Sequence, residues 1–214
     1  MRLCYAVILL QLLACVSTSA VPEPQPDALV RQLYRIVVAR HPLGIPADAD
    51  KAAIWPLLSK RLIREFETAK ACQDDWFSQH AGDTRPGNAA QPPVTLKPDF
   101  AWLEHGLFSG EEDQAAPSAV AVQRTESQND GAFRVYVRFT YKEAFETHGR
   151  PPNPANTFHW RGVVIVRSQD GRFAVDDVLL FKVHSMEIES RLSHELTLGC
   201  DGPRWVGYGN TKSR

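Results

Sequence analysis

Two adjacent carboxylates are the residues best suited to chemistry, because they interrupt an apolar run. Asp176 and Asp177 lie within residues 173–181, where the alternation of side chains predicts a β-strand. Alternate residues of a strand share a face, so Asp177 is predicted to lie among apolar side chains, namely Phe173, Val175, Leu179 and Phe181. A carboxylate buried there costs several kcal/mol unless it is hydrogen bonded, paired with a cation or shifted in pKa.

Two aromatic residues complete the candidate pocket around these aspartates. Tyr141 and Trp160 lie on the predicted inward faces of neighbouring strands. Acid–base catalysis also needs a second proton-transfer group close to the carboxylate. A histidine of these strands, His159, is predicted to point outward with Arg161. The pattern therefore favours a structural aspartate, bonded to backbone amides or to an arginine, over a catalytic one.

Other signatures of catalysis or cofactor binding are missing from the sequence. The seven histidines are scattered and form no HExxH pattern, and there is no GxSxG elbow, phosphate loop or dinucleotide fingerprint. We therefore expect no metal and no cofactor. Lys and Arg total 24 against 25 Asp and Glu, without a basic block, which argues against nucleic acid as a partner.

The first twenty residues have the layout of a secretory signal. Arg2 precedes the apolar run Leu3–Ala14, and small residues lead to Ala20. We expect a signal peptide over 1–20, a flexible tether over 21–26 and a periplasmic or secreted domain over 27–214. An alternative stays open, because residues 12–15 resemble a bacterial lipoprotein box. Lipidation of Cys15 would then anchor the protein in the bacterial envelope, its only expected contact with a membrane.

Four cysteines support export to an oxidising compartment. Cys4 and Cys15 lie in or at the edge of the signal, which leaves Cys72 and Cys200 as the pair of the mature domain. We predict a disulfide between them, with two free buried thiols or a metal pair as alternatives. Closing so large a loop stabilises a fold by on the order of 4 to 5 kcal/mol in the chain-entropy model.

Hydrophobic periodicity predicts helices in the N-terminal part of the chain and strands after them. Apolar residues at helical spacing predict one helix over 27–39 and a longer one over about 56–80. A long surface loop is expected over Gly82–Pro98, followed by a hydrophobic plug over Asp99–Gly110. Strands are predicted from 118, over 133–141, over about 157–168 and over 172–181, and a last helix between Ser185 and Gly199. The expected fold is α+β, with N-terminal helices packed on a curved antiparallel sheet of about four strands and a C-terminal helix.

Two short segments carry a resemblance to a known superfamily. The segment Gly106–Gly110 and the strand Phe173–Val178 lie in this order of helices, plug and sheet, which looks like the nuclear transport factor 2-like superfamily. More narrowly, the chain resembles uncharacterised exported bacterial proteins of that superfamily, some of them lipoproteins, over roughly residues 27–182. The resemblance implies a cone-like fold with a pocket and no assigned activity. In enzymes of the superfamily, a carboxylate inside the cone acts as general base, helped by Tyr or His.

Two functional hypotheses follow from the sequence. The first is an exported binding or interaction module, whose partner is a protein or a small apolar ligand. The alternative is a cone-fold lyase, isomerase or hydrolase that uses Asp177 or Asp176. An open cavity with the carboxylate at its floor separates the two hypotheses.

Overall fold

The computed structural model describes residues 25–80, 84–85, 94–95, 98, 100, 102–103, 105–110, 116–142, 151, 153, 155–181 and 187–198. Helices α1 (Pro26–Arg40), α2 (Asp48–Ile54) and α3 (Lys60–Gln79) come first, with a 3-10 turn at Trp55–Leu57 before α3. The predicted signal peptide, Cys15 and Cys200 lie outside the described residues. No helix within the described ranges is long and apolar enough to span a membrane.

Both predicted N-terminal helices are confirmed, with different starting residues. Pro26 is the first residue of α1 and is buried, so it belongs to the folded domain rather than to the predicted tether. Helix α3 begins after Ser59, whose Oγ accepts a hydrogen bond from the backbone N–H of Leu62 at 3.1 Å. The prediction started this helix at Pro56, which instead lies in the 3-10 turn.

The α+β class is confirmed, but the main sheet has five strands among the described residues, not four. After the short pair β1 (Thr84–Arg85) and β2 (Val94–Thr95), the antiparallel order is β3-β4-β5-β6-β7. The strands are β3 (Ala119–Ser127), β4 (Ala132–Lys142), β5 (Thr157–Gln169), β6 (Arg172–Phe181) and β7 (Ile188–Arg191). The sheet is open. The pair β1–β2 also corrects the predicted continuous loop over Gly82–Pro98.

The predicted C-terminal helix is mostly wrong. Residues Ile188–Arg191 form β7, which pairs with Leu179–Phe181 of β6, and among the described residues 187–198 only the single turn α4 (Leu192–Glu195) is α-helical. The apolar spacing that predicted a helix serves two elements, with Leu192 buried and Ile188 52% exposed. The open edge of β6 supplies backbone hydrogen-bond partners that a helix at this position would leave unpaired.

The core lies between the helices and the inner face of the sheet. The predicted plug is confirmed, because Phe100, Trp102 and Phe108 are buried in this core. The hairpin between β5 and β6 turns at Asp170 and Gly171, whose φ angles of 53° and 74° suit the predicted two-residue turn. The helices and the plug therefore pack on one face of the sheet.

Candidate functional site

A β-bulge in β6 decides where the two aspartates point. Asp177 pairs with Ile165 and Val175 pairs with Val166, so Asp176 is an extra residue without a partner in the register. The extra residue reverses the alternation, and Asp177 lies on the opposite face from Val175. This corrects the predicted face, because strict alternation holds only in a strand without a bulge.

Asp177 is buried and its carboxylate is fully occupied. The side chain is 1% exposed. Its Oδ1 accepts hydrogen bonds from the backbone N–H of Val178 at 3.0 Å and of Ser193 at 3.0 Å. Its Oδ2 accepts from Arg191 Nε at 2.6 Å and from Ser193 Oγ at 2.7 Å. Since a carboxylate offers about four acceptor positions, these donors leave none for a substrate proton.

Asp176 is held by residues from α3 and β5. Its Oδ1 accepts from Ser59 Oγ at 2.7 Å and from Arg61 Nε at 3.2 Å, and Arg167 Nε lies 3.3 Å from its Oδ2. Burial raises the pKa of Asp176, but the hydrogen bonds from Ser59 and Arg61 outweigh it, so the pKa lies below its usual value. A carboxylate with a lowered pKa is a weak proton acceptor near neutral pH.

Arg61 joins the two aspartates to the first turn of α3. Its NH1 lies 2.5 Å from Glu65 Oε1, its NH2 donates to the backbone carbonyl of Asp176, and the same NH2 is 4.0 Å from Asp177 Oδ2. We call Asp176, Asp177 and the arginines that contact them (Arg61, Arg167 and Arg191) the aspartate cluster. The carboxylates, with Glu65, match the three guanidinium groups in charge, so the cluster is internally neutralised.

An open cavity of about 560 Å³ lies over the aspartate cluster. Its lining includes Arg61, Glu65, Arg191, Ser193 and His194. Asp177 is not among the lining residues, because Arg191 and Ser193 lie between its carboxylate and the cavity. Ser193 donates its hydroxyl proton to Asp177, so that hydroxyl is oriented away from a nucleophilic role.

The structure separates Trp160 from the aspartates. Its Nε1 donates to the backbone carbonyl of Ser109 at 2.7 Å, and its ring stacks on Phe139 with centroids 5.2 Å apart. Trp160 is five positions along β5 from Ile165, the partner of Asp177. That is about 16 Å along the strand, on the opposite face of the sheet. Trp160 anchors the plug.

Tyr141 lies farther still from the aspartates, at the end of β4. Its ring is 6.1 Å from that of Phe158, which is 61% exposed. His159 is exposed and lies 3.1 Å from Thr140 Oγ1, as the predicted outward direction requires. The four candidate pocket residues therefore do not form one site.

The structure describes one of the two cysteines of the predicted disulfide. Cys72 is partly buried on α3 and packs against the core. Cys200 lies outside the described residues, so the bond remains a prediction. Among the residues that the structure describes, no group of three His, Cys, Asp or Glu side chains is arranged to hold a metal ion.

A second open feature, missed by the sequence analysis, lies between α1 and β3. This α1–β3 groove has a volume of about 500 Å³. Its apolar lining includes Tyr34, Val38, Ala39, Val120 and Val122, and two exposed arginines, Arg31 and Arg35, lie beside it. In the sequence, the only sign of this groove is that α1 has apolar residues outside the stripe that faces the core. Which strand lies beside them depends on the tertiary fold.

Comparisons with protein-family models, with curated proteins and with solved structures found no match for this chain.

Proposed function

We propose that this protein is an exported binding module without catalytic turnover, and that the α1–β3 groove is its binding site. The proposal keeps the periplasmic or secreted location predicted from residues 1–20, with the lipid anchor at Cys15 as its alternative. It also assigns the chain to the nuclear transport factor 2-like superfamily and its cone arrangement, supported by N-terminal helices, a plug and an antiparallel sheet in that order.

One observation carries the proposal: Asp177 accepts four hydrogen bonds from groups of the protein itself. A general base needs a free lone pair within reach of the substrate. Removing a donor such as Arg191 or Ser193 to free one would leave a buried carboxylate short of partners, at a cost of about 1 to 3 kcal/mol. The most reactive residues of the sequence are therefore better explained as structural.

The cavity over the aspartate cluster keeps an enzyme as the second candidate. A lyase, isomerase or hydrolase would bind its substrate against Arg61, Arg191 and His194. The carboxylate is not exposed there, and these arginines already neutralise the aspartates. The α1–β3 groove differs, because its valines and Arg35 are reached without breaking an ion pair among the described residues, and Arg31 has only an exposed pair with Asp27.

An anionic apolar dye, 8-anilinonaphthalene-1-sulfonate, tests the choice between the two cavities. Ala39→Trp fills the α1–β3 groove, whereas His194→Trp fills the cavity over the aspartate cluster. Ala71→Trp is the matched control, because Ala71 is also an exposed helical alanine but lies outside both cavities. We expect Ala39→Trp alone to reduce dye binding, at least fivefold by fluorescence titration.

The opposite pattern contradicts the assignment. Dye binding that is lost with His194→Trp and kept with Ala39→Trp would move the site to the aspartate cluster. Failure of the folded wild-type protein to bind the dye would remove the support for a binding groove. Thermal unfolding of each variant establishes that the protein used in the titration is folded.

A further inference from the structure

Strand β3 is an open edge of the sheet beside the α1–β3 groove. Within the described ranges, β3 pairs with β4 and with no other strand, so one side of its backbone has unpaired N–H and C=O groups. Open edges of this kind pair readily with a further extended chain. A docking segment therefore has backbone partners in addition to the side chains of the groove.

The usable part of this edge is its first half. The register with β4 shifts between Val122 and Arg124, which identifies a bulge at Gln123. A bulge bends a strand and interrupts its pairing. The straight segment Ser118–Val122 comes before it, and most of that segment lines the groove. The bulge thus limits strand addition to about five residues.

The two walls of the groove match in length. On α1 the lining runs from Arg31 to Ala39, about 12 Å of helix, and on β3 from Ser118 to Val122, about 13 Å of strand. Arg31 and Arg35 are one turn apart, about 6 Å, close to the ~6.8 Å between alternate residues of a strand. One face of an extended segment can therefore meet both arginines at successive inward positions.

The charge of the groove selects the partner. Arg35 forms no ion pair within the part of the chain that the structure describes, and Arg31 has only Asp27 at 3.7 Å, with 54% and 38% of these two side chains exposed. Surface pairs of this kind contribute little and are easily exchanged. Arg31 and Arg35 lie beside an apolar floor that includes Val38 and Val120. This arrangement suits a segment that has carboxylates with an apolar residue before or after them.

We propose that the α1–β3 groove takes an extended acidic segment of a partner protein, which adds to β3 as a further strand. Its inward side chains are two carboxylates, against Arg31 and Arg35, and one apolar residue against Val38 and Val120. A second copy of this chain is a poorer occupant, because pairing two β3 edges brings the arginines of both copies together. This inference rests on the proposed function and adds the chemistry of the partner.

Fluorescein-labelled pentapeptides test the inference with the full mature chain. Val-Thr-Glu-Thr-Glu and its reverse sequence cover both strand directions, and the versions with Lys in place of Glu are charge controls. We expect one acidic peptide to bind by fluorescence anisotropy, at least tenfold more tightly than its Lys counterpart. Two further versions of the binding peptide carry methyl groups on alternate backbone nitrogens. Methylation of the nitrogens that face β3 should abolish binding, and methylation of those that face away should leave it unchanged.

Arg35→Glu supplies the matched test on the protein side. It should weaken the acidic peptide at least fivefold and favour the Lys peptide, whereas Arg64→Glu, at an exposed position of α3, should change neither. Equal binding of both peptides, or insensitivity to Arg35→Glu, overturns the inference. So does a dimer, seen by analytical ultracentrifugation, that Arg35→Glu dissociates.

The dye titration keeps the two proposals separable. If no peptide binds but Ala39→Trp still reduces dye binding, the groove is a binding site and the acidic strand is the wrong occupant. If neither peptide nor dye depends on the groove, both the inference and the proposed function fail.

Discussion

The two edges of the main sheet differ, because one is closed by further chain segments and the other is open. On the β6 side, the short β7 pairs with Leu179–Phe181, and the segment at Leu58 and Ser59 continues along the same edge. Leu58 forms a parallel bridge with Val175, and the Ser59 N–H donates to the Val175 carbonyl at 2.7 Å. On the β3 side, the first half of a nine-residue strand borders an open groove.

The difference shows that reactive residue types do not by themselves identify a site. The aspartate cluster contains the carboxylates that the sequence analysis identified, yet their partners serve to hold β6 to α3, β5, β7 and α4. The groove on the open side contains arginine, valine and alanine, which attract no notice in a sequence. Of its two arginines, Arg31 has one exposed ion pair with Asp27 and Arg35 has none among the described residues.

The largest expected effect concerns the predicted disulfide, which would tie α3 to the chain after α4 on the closed side. Cys72→Ser should lower the free energy of unfolding by on the order of 4 to 5 kcal/mol, measured by urea denaturation without reductant. Cys200→Ser should have the same effect, and the double variant no further one. Labelling of two free thiols in the non-reduced mature protein would contradict the bond.

The next largest effect concerns the buried carboxylate. Asp177→Ala leaves the Arg191 and Ser193 donors without their acceptor and should cost roughly 1 to 3 kcal/mol of unfolding free energy, measured by thermal and urea denaturation. Asp74→Ala is the control, because Asp74 is 59% exposed and pairs only with Lys70 on the surface. Melting of Asp177→Ala at or above the wild-type temperature would favour the catalytic interpretation, since active-site carboxylates are often held at a cost to stability.

A smaller effect, about 1 kcal/mol, is expected from the pH dependence of Asp176. Its folded pKa is lowered, so its contribution to stability is complete above the unfolded pKa of about 3.9 and is lost as pH falls through the folded value. Asp176→Asn should therefore be less stable than wild type at pH 6, and the difference should shrink as pH falls through the folded pKa of Asp176. Asp48→Asn, at a fully solvated side chain, is the control. Free energies of unfolding of wild type and Asp176→Asn that change in parallel with pH would contradict this prediction.

Local patterns predicted α1, α3 and four strands well, because each of these elements repeats one period over many residues. The core-facing stripe of α1 and the alternation of β4 carry that information directly. The bulge at Asp176 was not predictable, since it depends on how β6 meets β5 and not on β6 alone. The short β7 was also missed, because its residues form a strand only next to the free edge of β6.

The candidate site was predicted less well for the same reason. The sequence correctly drew attention to Asp177 as a residue that must have partners, but it could not identify Arg191 and Ser193, which lie 14 and 16 residues later in the chain. Neither could it identify the groove, because the neighbours of Arg35 come from a strand more than eighty residues away in sequence. Long-range contacts decide both sides of the comparison.

The smallest expected effect is also the sharpest test of that comparison. Arg35→Ala should change the free energy of unfolding by no more than about 0.5 kcal/mol, because Arg35 is exposed and, among the described residues, has no ion pair to lose. Arg61→Ala is the matched substitution on the closed side, where the side chain contacts Asp176 and Glu65. In urea denaturation, the free energy of unfolding of Arg61→Ala should be clearly lower than that of wild type, whereas that of Arg35→Ala should be close to wild type. If Arg35→Ala is as damaging as Arg61→Ala, then α1 needs Arg35 for its own stability. The β3 side would then be scaffold rather than a surface kept free for a partner.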